Sequence, residues 1–202
     1  MLSAPVLTPT IYLASRSPRR VELLRQLGLG CEILPADIDE TQLVNETAEH
    51  YVLRLAQQKA EVCLQRLTPA QRTQPVLAAD TTVVLAGLVL GKPENDDDAR
   101  RMLRALSASR HQVHTAVALA FNGQLQLLLS TTQVEMMALT DAQIEAYIAS
   151  GEHLDKAGSY GIQGLAAAWI VRIEGSYSGV MGLPLYETTA LLRNCGIIDS
   201  TI

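Results

Sequence analysis

The sequence predicts an α/β fold in which helices pack on a single mixed sheet. Short apolar runs of strand length alternate with segments of helical period in the first half, and two long strands then flank Asn122-Gly123. No internal repeat or low-complexity linker interrupts the 202 residues, a length that buries about 70% of its unfolded surface in one core or in two lobes sharing one.

The elements follow in order. VLTPTIYLAS predicts a strand from about Thr10 to Ala14 that runs into a tight turn and a helix. Ser17 is placed as its N-cap and Pro18 at its first position, with Leu23, Leu24 and Leu27 at helical spacing before Gly28. CEILPADIDE reads as a short strand ending in an acidic cluster. A long helix is expected over Thr47 to Leu67, with Val52, Leu55, Ala56, Ala60, Cys63 and Leu64 along one face and Lys59 on or beside it. PVLAADTTVVL predicts a buried strand, Gly87 a turn, and the acid-rich ENDDD the start of a helix from about Asp96 to Leu106. HQVHTAVALA and QLQLLLSTTQVEM form the hairpin around Asn122-Gly123. Thr140 to Gln143 matches a capping box, and the helix it opens should stop near Gly151. A glycine-rich loop, KAGSYGIQG, a strand through AAWIVRI, a second loop, EGSYSGVMG, and a helix opened by Pro184 complete the chain.

Composition narrows the function. The formal net charge of -5 runs against a non-specific nucleic-acid binder, and 4% aromatic residues against a base-stacking platform, although a local basic pocket stays open. Cys31, Cys63 and Cys195 are widely separated and form no CxxC, so they read as reduced, small apolar residues. No apolar stretch approaches the ~18 residues that span a membrane, and MLSAPVLTPTIYLAS lacks the basic flank and long apolar core of a signal peptide. The expectation is a cytoplasmic protein that engages neither membrane nor nucleic-acid polymer.

Asp80, inside AADTTVV, is the clearest anomaly, because a carboxylate in so apolar a run needs a cation, metal or proton beside it. It reads as a metal ligand, as a base that orients water, or as half of a buried ion pair. Thr81 and Thr82 should point to opposite faces of that strand. Ser15, Ser17, Arg19 and Arg20 gather hydroxyls and guanidinium groups at a helix N-terminus, a combination that favours an anion, and Arg16 adds to that field or points to water. Lys59 and Lys92 are further candidates for phosphate, against snorkelling for the one and a solvated turn for the other. Glu40 is positioned to share a hard divalent cation with Asp80, with Asp37, Asp39 and Glu46 as competitors that spacing does not exclude. Gln163, in the glycine-rich loop, offers both donor and acceptor to a base edge. His111 and His114 lack zinc spacing and are read as structural.

The segments LASRSPRR, RLAQQKA, AADTTVV, LGKP, HQVHT, LDKAGSYGIQG and GSYSGVMGLPL, between Tyr12 and about Leu192, resemble in content and order the Maf family of nucleotide pyrophosphatases. The resemblance implies a single catalytic domain over residues 1–202, with an elongated mixed sheet and an inter-lobe cleft like the ITP-pyrophosphatase fold, commonly paired as a homodimer. It implies cleavage of nucleoside triphosphates between the α and β phosphates, supported by Mg²⁺ or Mn²⁺. Asp80 then takes the proton-acceptor role, Glu40 joins it in metal binding, and Ser15, Arg19, Arg20, Lys59 and Lys92 contact substrate. Arg19, Thr81 and Gln163 match the subgroup acting on dTTP and UTP. Purine or 7-methyl-GTP hydrolysis, and a nucleotide-binding role in division or septum formation, are the alternatives. Two positions depart from the family pattern: Arg16 where a small or polar residue is usual, and Ala108 where glycine is common.

Overall fold

The computed structural model describes residues 11–199, so the expected strand start at Thr10 lies outside the described residues. Strands β1 (Ile11–Leu13), β2 (Cys31–Ile33), β3 (Val76–Leu85), β4 (Leu88–Leu90), β5 (Arg110–Phe121), β6 (Gln124–Met136) and β7 (Ile170–Glu174) form one mixed sheet. Its order is β2-β1-β3-β5-β6-β7, with β4 also paired to β3. β1 runs parallel to β2 and β3, while the other pairs are antiparallel. The mixed α/β architecture read from the sequence is therefore the one observed.

β3 organises the molecule. β1 pairs with it only at Val76 and Leu77, and β4 only at Val83 to Leu85. Between them, residues 78–82 have a strand neighbour on one side alone, β5. Asp80 lies at the middle of that opening.

The period-two alternation of β3 distributes its side chains over the two faces. Val76 and Ala78 pack with Val52, Ala56, Ala60 and Cys63 of helix α2 (Ala48–Arg66). Leu77 and Ala79 pack with Leu23 and Leu24 of α1 (Pro18–Gln26) and with Leu191 and Leu192 of α6 (Leu185–Asn194). Ala116, Ala118 and Ala120 of β5 are small enough to let α2 lie close on the sheet. A third core joins Val83 to α3 (Asp96–Leu106) and α4 (Asp141–Ser150) around Leu103, Leu106, Tyr147 and Trp169.

The expected caps and turns are largely present. Thr140 and Gln143 form the reciprocal capping box, and α4 stops at Gly151. Asn122 and Gly123 take φ of 50° and 74°, the left-handed pair that a tight two-residue hairpin requires. Ala108 adopts φ 52°, which accounts for the glycine that the family pattern places there.

Three local readings differ. AAWIVRI is extended only from Ile170, because Leu165–Trp169 close into a 3-10 turn that packs Trp169 against Tyr147. EGSYSGVMG contains a short helix, α5 (Tyr177–Met181), capped by the Ser176 side chain. CEILPADIDE is a strand only over its Cys31–Ile33 portion.

Candidate active site

The sheet geometry dictates which groups meet. Asp80 follows Val76 and Ala78 in alternation and so points to the α2 side, where Lys59 lies on the helical face of Leu55 and Tyr51. Lys59 Nζ donates to Asp80 Oδ1 at 2.6 Å and stands 2.7 Å from Glu40 Oε1, with Lys59 9% and Asp80 7% exposed. Glu40 Oε2 accepts from Lys92 Nζ at 3.3 Å, and Tyr51 Oη donates to the Glu40 carbonyl at 2.8 Å. The result is a chain of alternating charge, Asp80, Lys59, Glu40, Lys92, running from the sheet to the surface.

The other acids of the cluster are committed elsewhere. Asp37 forms an exposed pair with Arg16 at 2.7 Å, Asp39 accepts from the Thr41 N–H, and Glu46 pairs with Arg54 at 2.6 Å. Glu40 alone of the four reaches Lys59, and Arg16 turns outward to Asp37.

Thr81 has the opposite parity and faces α1. Arg20 Nη2 donates to Thr81 Oγ1 at 3.3 Å, Nη1 to Ser15 Oγ at 3.0 Å and Nε to the Gly182 carbonyl at 2.7 Å. A Cβ on Gly182 would lie 3.5 Å from Arg20 Nε, and its φ of 112° disfavours any side chain. Thr115 Oγ1 donates to the Gly179 carbonyl at 2.8 Å and lies 3.0 Å from Thr81 Oγ1. Arg19 Nε reaches the Met181 carbonyl at 3.4 Å. Ser17 occupies the N-cap position of α1 without bonding through its side chain, while its own N–H donates to Ser15 Oγ at 3.1 Å. The first turn of α1 thus keeps backbone donors for an incoming anion.

Ser15, Arg19, Arg20, Glu40, Lys59, Asp80, Thr81, Lys92 and Gln163 all line one cleft of about 980 Å³. Gln163 is exposed on its rim and comes from the loop between α4 and β7. Lys156 and Tyr51 belong to the same cleft without having been singled out in the sequence. Tyr51 was detectable, since it precedes Leu55 and Lys59 at intervals of four on α2. Lys156 carried no signal beyond its place at the head of the glycine-rich loop.

Electrostatics divide the cleft. Burial pushes the Asp80 carboxyl above its ordinary range, against the pull of Lys59 and Arg20. Burial also pushes Glu40 up, but Lys59 and Lys92 together outweigh it and hold that carboxyl low. Asp80 Oδ2 has no hydrogen-bond partner among the described residues, leaving an acceptor on a carboxylate suited to take a proton.

The two histidines hold structure. His111 Nε2 bonds Tyr160 Oη at 2.8 Å and His114 Nδ1 bonds Thr131 Oγ1 at 2.9 Å. Burial lowers both, His111 to about 4. An unfolded chain takes up a proton at His111 below about pH 6.5 that the folded chain refuses down to about 4, so stability held above 6.5 is lost as pH falls through that window, by up to about 3 kcal/mol. Urea unfolding between pH 7 and 5 is expected to show a shallower pH slope in His111→Gln than in the parent. Identical slopes would refute the assignment.

The profile of the family described as Maf-like protein matches residues 10–195. The chain belongs to the Maf family. Among curated Maf relatives, proteins named dTTP/UTP pyrophosphatase are 58% identical in Methylobacillus flagellatus, where the match covers 93% of each chain, and 54% identical in Nitrosomonas europaea, covering 93% of this chain and 95% of that one. The Pasteurella multocida protein of the same name is 49% identical, over 92% of this Maf chain and 96% of its own. A solved structure, the Staphylococcus aureus Ham1 protein, aligns with a TM-score of 0.45 at 16% identity over 63% of this chain and 72% of that one.

Proposed function

We propose that this chain hydrolyses dTTP and UTP to the monophosphate and diphosphate, with Asp80 as the proton acceptor. The observation that carries the reading is the gathering of Asp80, Arg19, Arg20, Lys59, Lys92 and Gln163 in one cleft of a chain whose 49–58% identical relatives are named dTTP/UTP pyrophosphatase. Asp80 Oδ2 orients the attacking water and takes its proton. Lys59 holds Asp80 in place, while Arg19, Arg20 and Lys92 stabilise charge on the phosphate oxygens. Ser15 and Thr81 fix the Arg20 guanidinium, and Gln163 offers its amide to the pyrimidine edge.

A divalent cation, Mg²⁺ or Mn²⁺, fits this donor set as a partner of the substrate. Asp80 and Glu40 converge on the same ammonium, and two carboxylates are the number Mg²⁺ commonly takes beside phosphate oxygens. The remaining ligands would come from the triphosphate and water. When bound, such a cation would neutralise the triphosphate and polarise the bond that is cleaved.

The chain acts as one catalytic unit, as a homodimer, on the nucleotide pool of the cytoplasm. No helix among the described residues is long and apolar enough to cross a membrane. The deciding assay resolves products from dTTP, UTP, CTP, dATP, GTP, ITP and 7-methyl-GTP with Mg²⁺ or Mn²⁺. Diphosphate and monophosphate should appear fastest from dTTP and UTP. A preferred purine or 7-methyl-GTP would overturn the selectivity, orthophosphate release would overturn the bond cleaved, and nucleotide binding without turnover would favour a regulator.

A further inference from the structure

We propose that Lys156 is a phosphate ligand of this cleft, and that Gly161 is glycine in order to seat it there. The inference rests on the polyphosphate chemistry proposed above and adds a residue to it.

Compensation of charge separates Lys156 from the other lysines. Lys59 is paired with Asp80 and Glu40, and Lys92 with Glu40. Lys156 has no carboxylate within 4.0 Å among the described residues, and its Nζ makes one hydrogen bond, to the Leu154 carbonyl at 3.3 Å. An ammonium carries three donors, so two remain for a ligand. The nearby carboxylate of Glu152 is engaged by the Leu165 N–H at 2.9 Å. Burial, and then the neighbouring Arg19 charge, disfavour the ammonium form of Lys156 and outweigh the more distant pull of Glu152 and Asp155. A half-buried cation beside a second cation is relieved by an anion between them. Arg19 likewise has no carboxylate within ion-pair reach among the described residues, and both residues line the cleft.

The side chain is held rather than trailing in solvent. A Cβ on Gly161 would lie 2.9 Å from Lys156 Cε and 3.0 Å from Cδ, so the lysine stem crosses directly over that α-carbon. Gly161 does not have a left-handed φ, so its backbone does not require glycine; a methyl group there would push aside the end of the Lys156 stem and meet no other atom closely. Its N–H donates to Tyr147 Oη at 3.0 Å, which ties the seat to the core. Lysine and seat lie on the same loop that presents Gln163, so the segment that meets the base also supplies charge for the phosphates.

The test is calorimetric binding of inorganic diphosphate to the parent, Lys156→Gln, Lys156→Arg, Gly161→Ala and the Gly161→Ala/Lys156→Gln double variant, each checked for a parent-like circular dichroism spectrum. Lys156→Gln should weaken binding about tenfold, the scale of a lost charged hydrogen bond, and Lys156→Arg should recover most of it. Gly161→Ala should weaken binding in the parent but add nothing in the Lys156→Gln background, since the displaced group is then already gone. Unchanged diphosphate affinity in folded Lys156→Gln, or fully additive losses, would overturn the proposal. If Gly161→Ala does not fold, the Gln and Arg variants decide alone. Turnover of dTTP by the parent is scored separately. Lys156-dependent diphosphate binding without turnover would leave the subsite standing and remove the proposed reaction, and turnover with Lys156-independent binding would do the reverse.

Discussion

Replacing Asp80 by asparagine is expected to lower turnover of dTTP at least ~100-fold, the scale of a lost general base, in a protein that still folds. Asparagine preserves the shape of the side chain at its place in β3 but removes the basicity of the free Oδ2. Folding should survive because Glu40 Oε1, 2.7 Å from Lys59 Nζ, still balances the ammonium that Asp80 gives up. The measurement is single-turnover diphosphate release at saturating nucleotide, with thermal melting as the control. A folded variant within tenfold of the parent would remove Asp80 from the chemistry.

Lys59→Met should have the largest effect on stability. The methionine stem fills the same channel between α2 and the sheet, so the change isolates the charge. Without the ammonium, the Asp80 carboxylate is left 7% exposed in a low-dielectric setting with Glu40 as a like-charged neighbour. Removing one partner of a buried pair costs about 3–5 kcal/mol, because the other charge stays desolvated. Urea unfolding near pH 8 should show a loss of that order, and the deficit should shrink as pH falls and Asp80 takes up a proton. A loss below about 1 kcal/mol would mean that the pair is already well solvated.

The fold was legible where local chemistry and tertiary context agree. The Asn122-Gly123 turn, the Thr140 capping box and the apolar faces of α1, α2 and α3 all specify their structures within a few residues. Asp80 was legible for the converse reason, as a charge in a stretch with nothing local to stabilise it. The choice among Asp37, Asp39, Glu40 and Glu46 was not, since it is made by Arg16, Arg54 and Lys59, which lie up to 21 residues away in sequence. The partition of Thr81 from Thr82 followed from strand alternation alone, but nothing in the sequence revealed that Thr81 is taken up by Arg20. Lys156 escaped notice because its significance depends on the absence of a neighbouring carboxylate and on the bare α-carbon of Gly161, both facts of packing.

The opening in the sheet beside residues 78–82 also bears on how the molecule avoids self-association. An unpaired strand edge ordinarily templates another strand and, through it, aggregation. Here the bare stretch is closed at one end by β1 and at the other by β4. Its centre carries Asp80 and the overlying Lys59, which an added strand would have to desolvate further. A peptide in extended form advances about 3.3 Å per residue and needs several residues to pair, so it would collide with both flanking strands before gaining a ladder of useful length. A compact ligand that enters the cleft beside Asp80 and Thr81 meets no such obstacle, while Ala78, Ala79 and Thr82, each 0–1% exposed, leave little open backbone on which another strand could form.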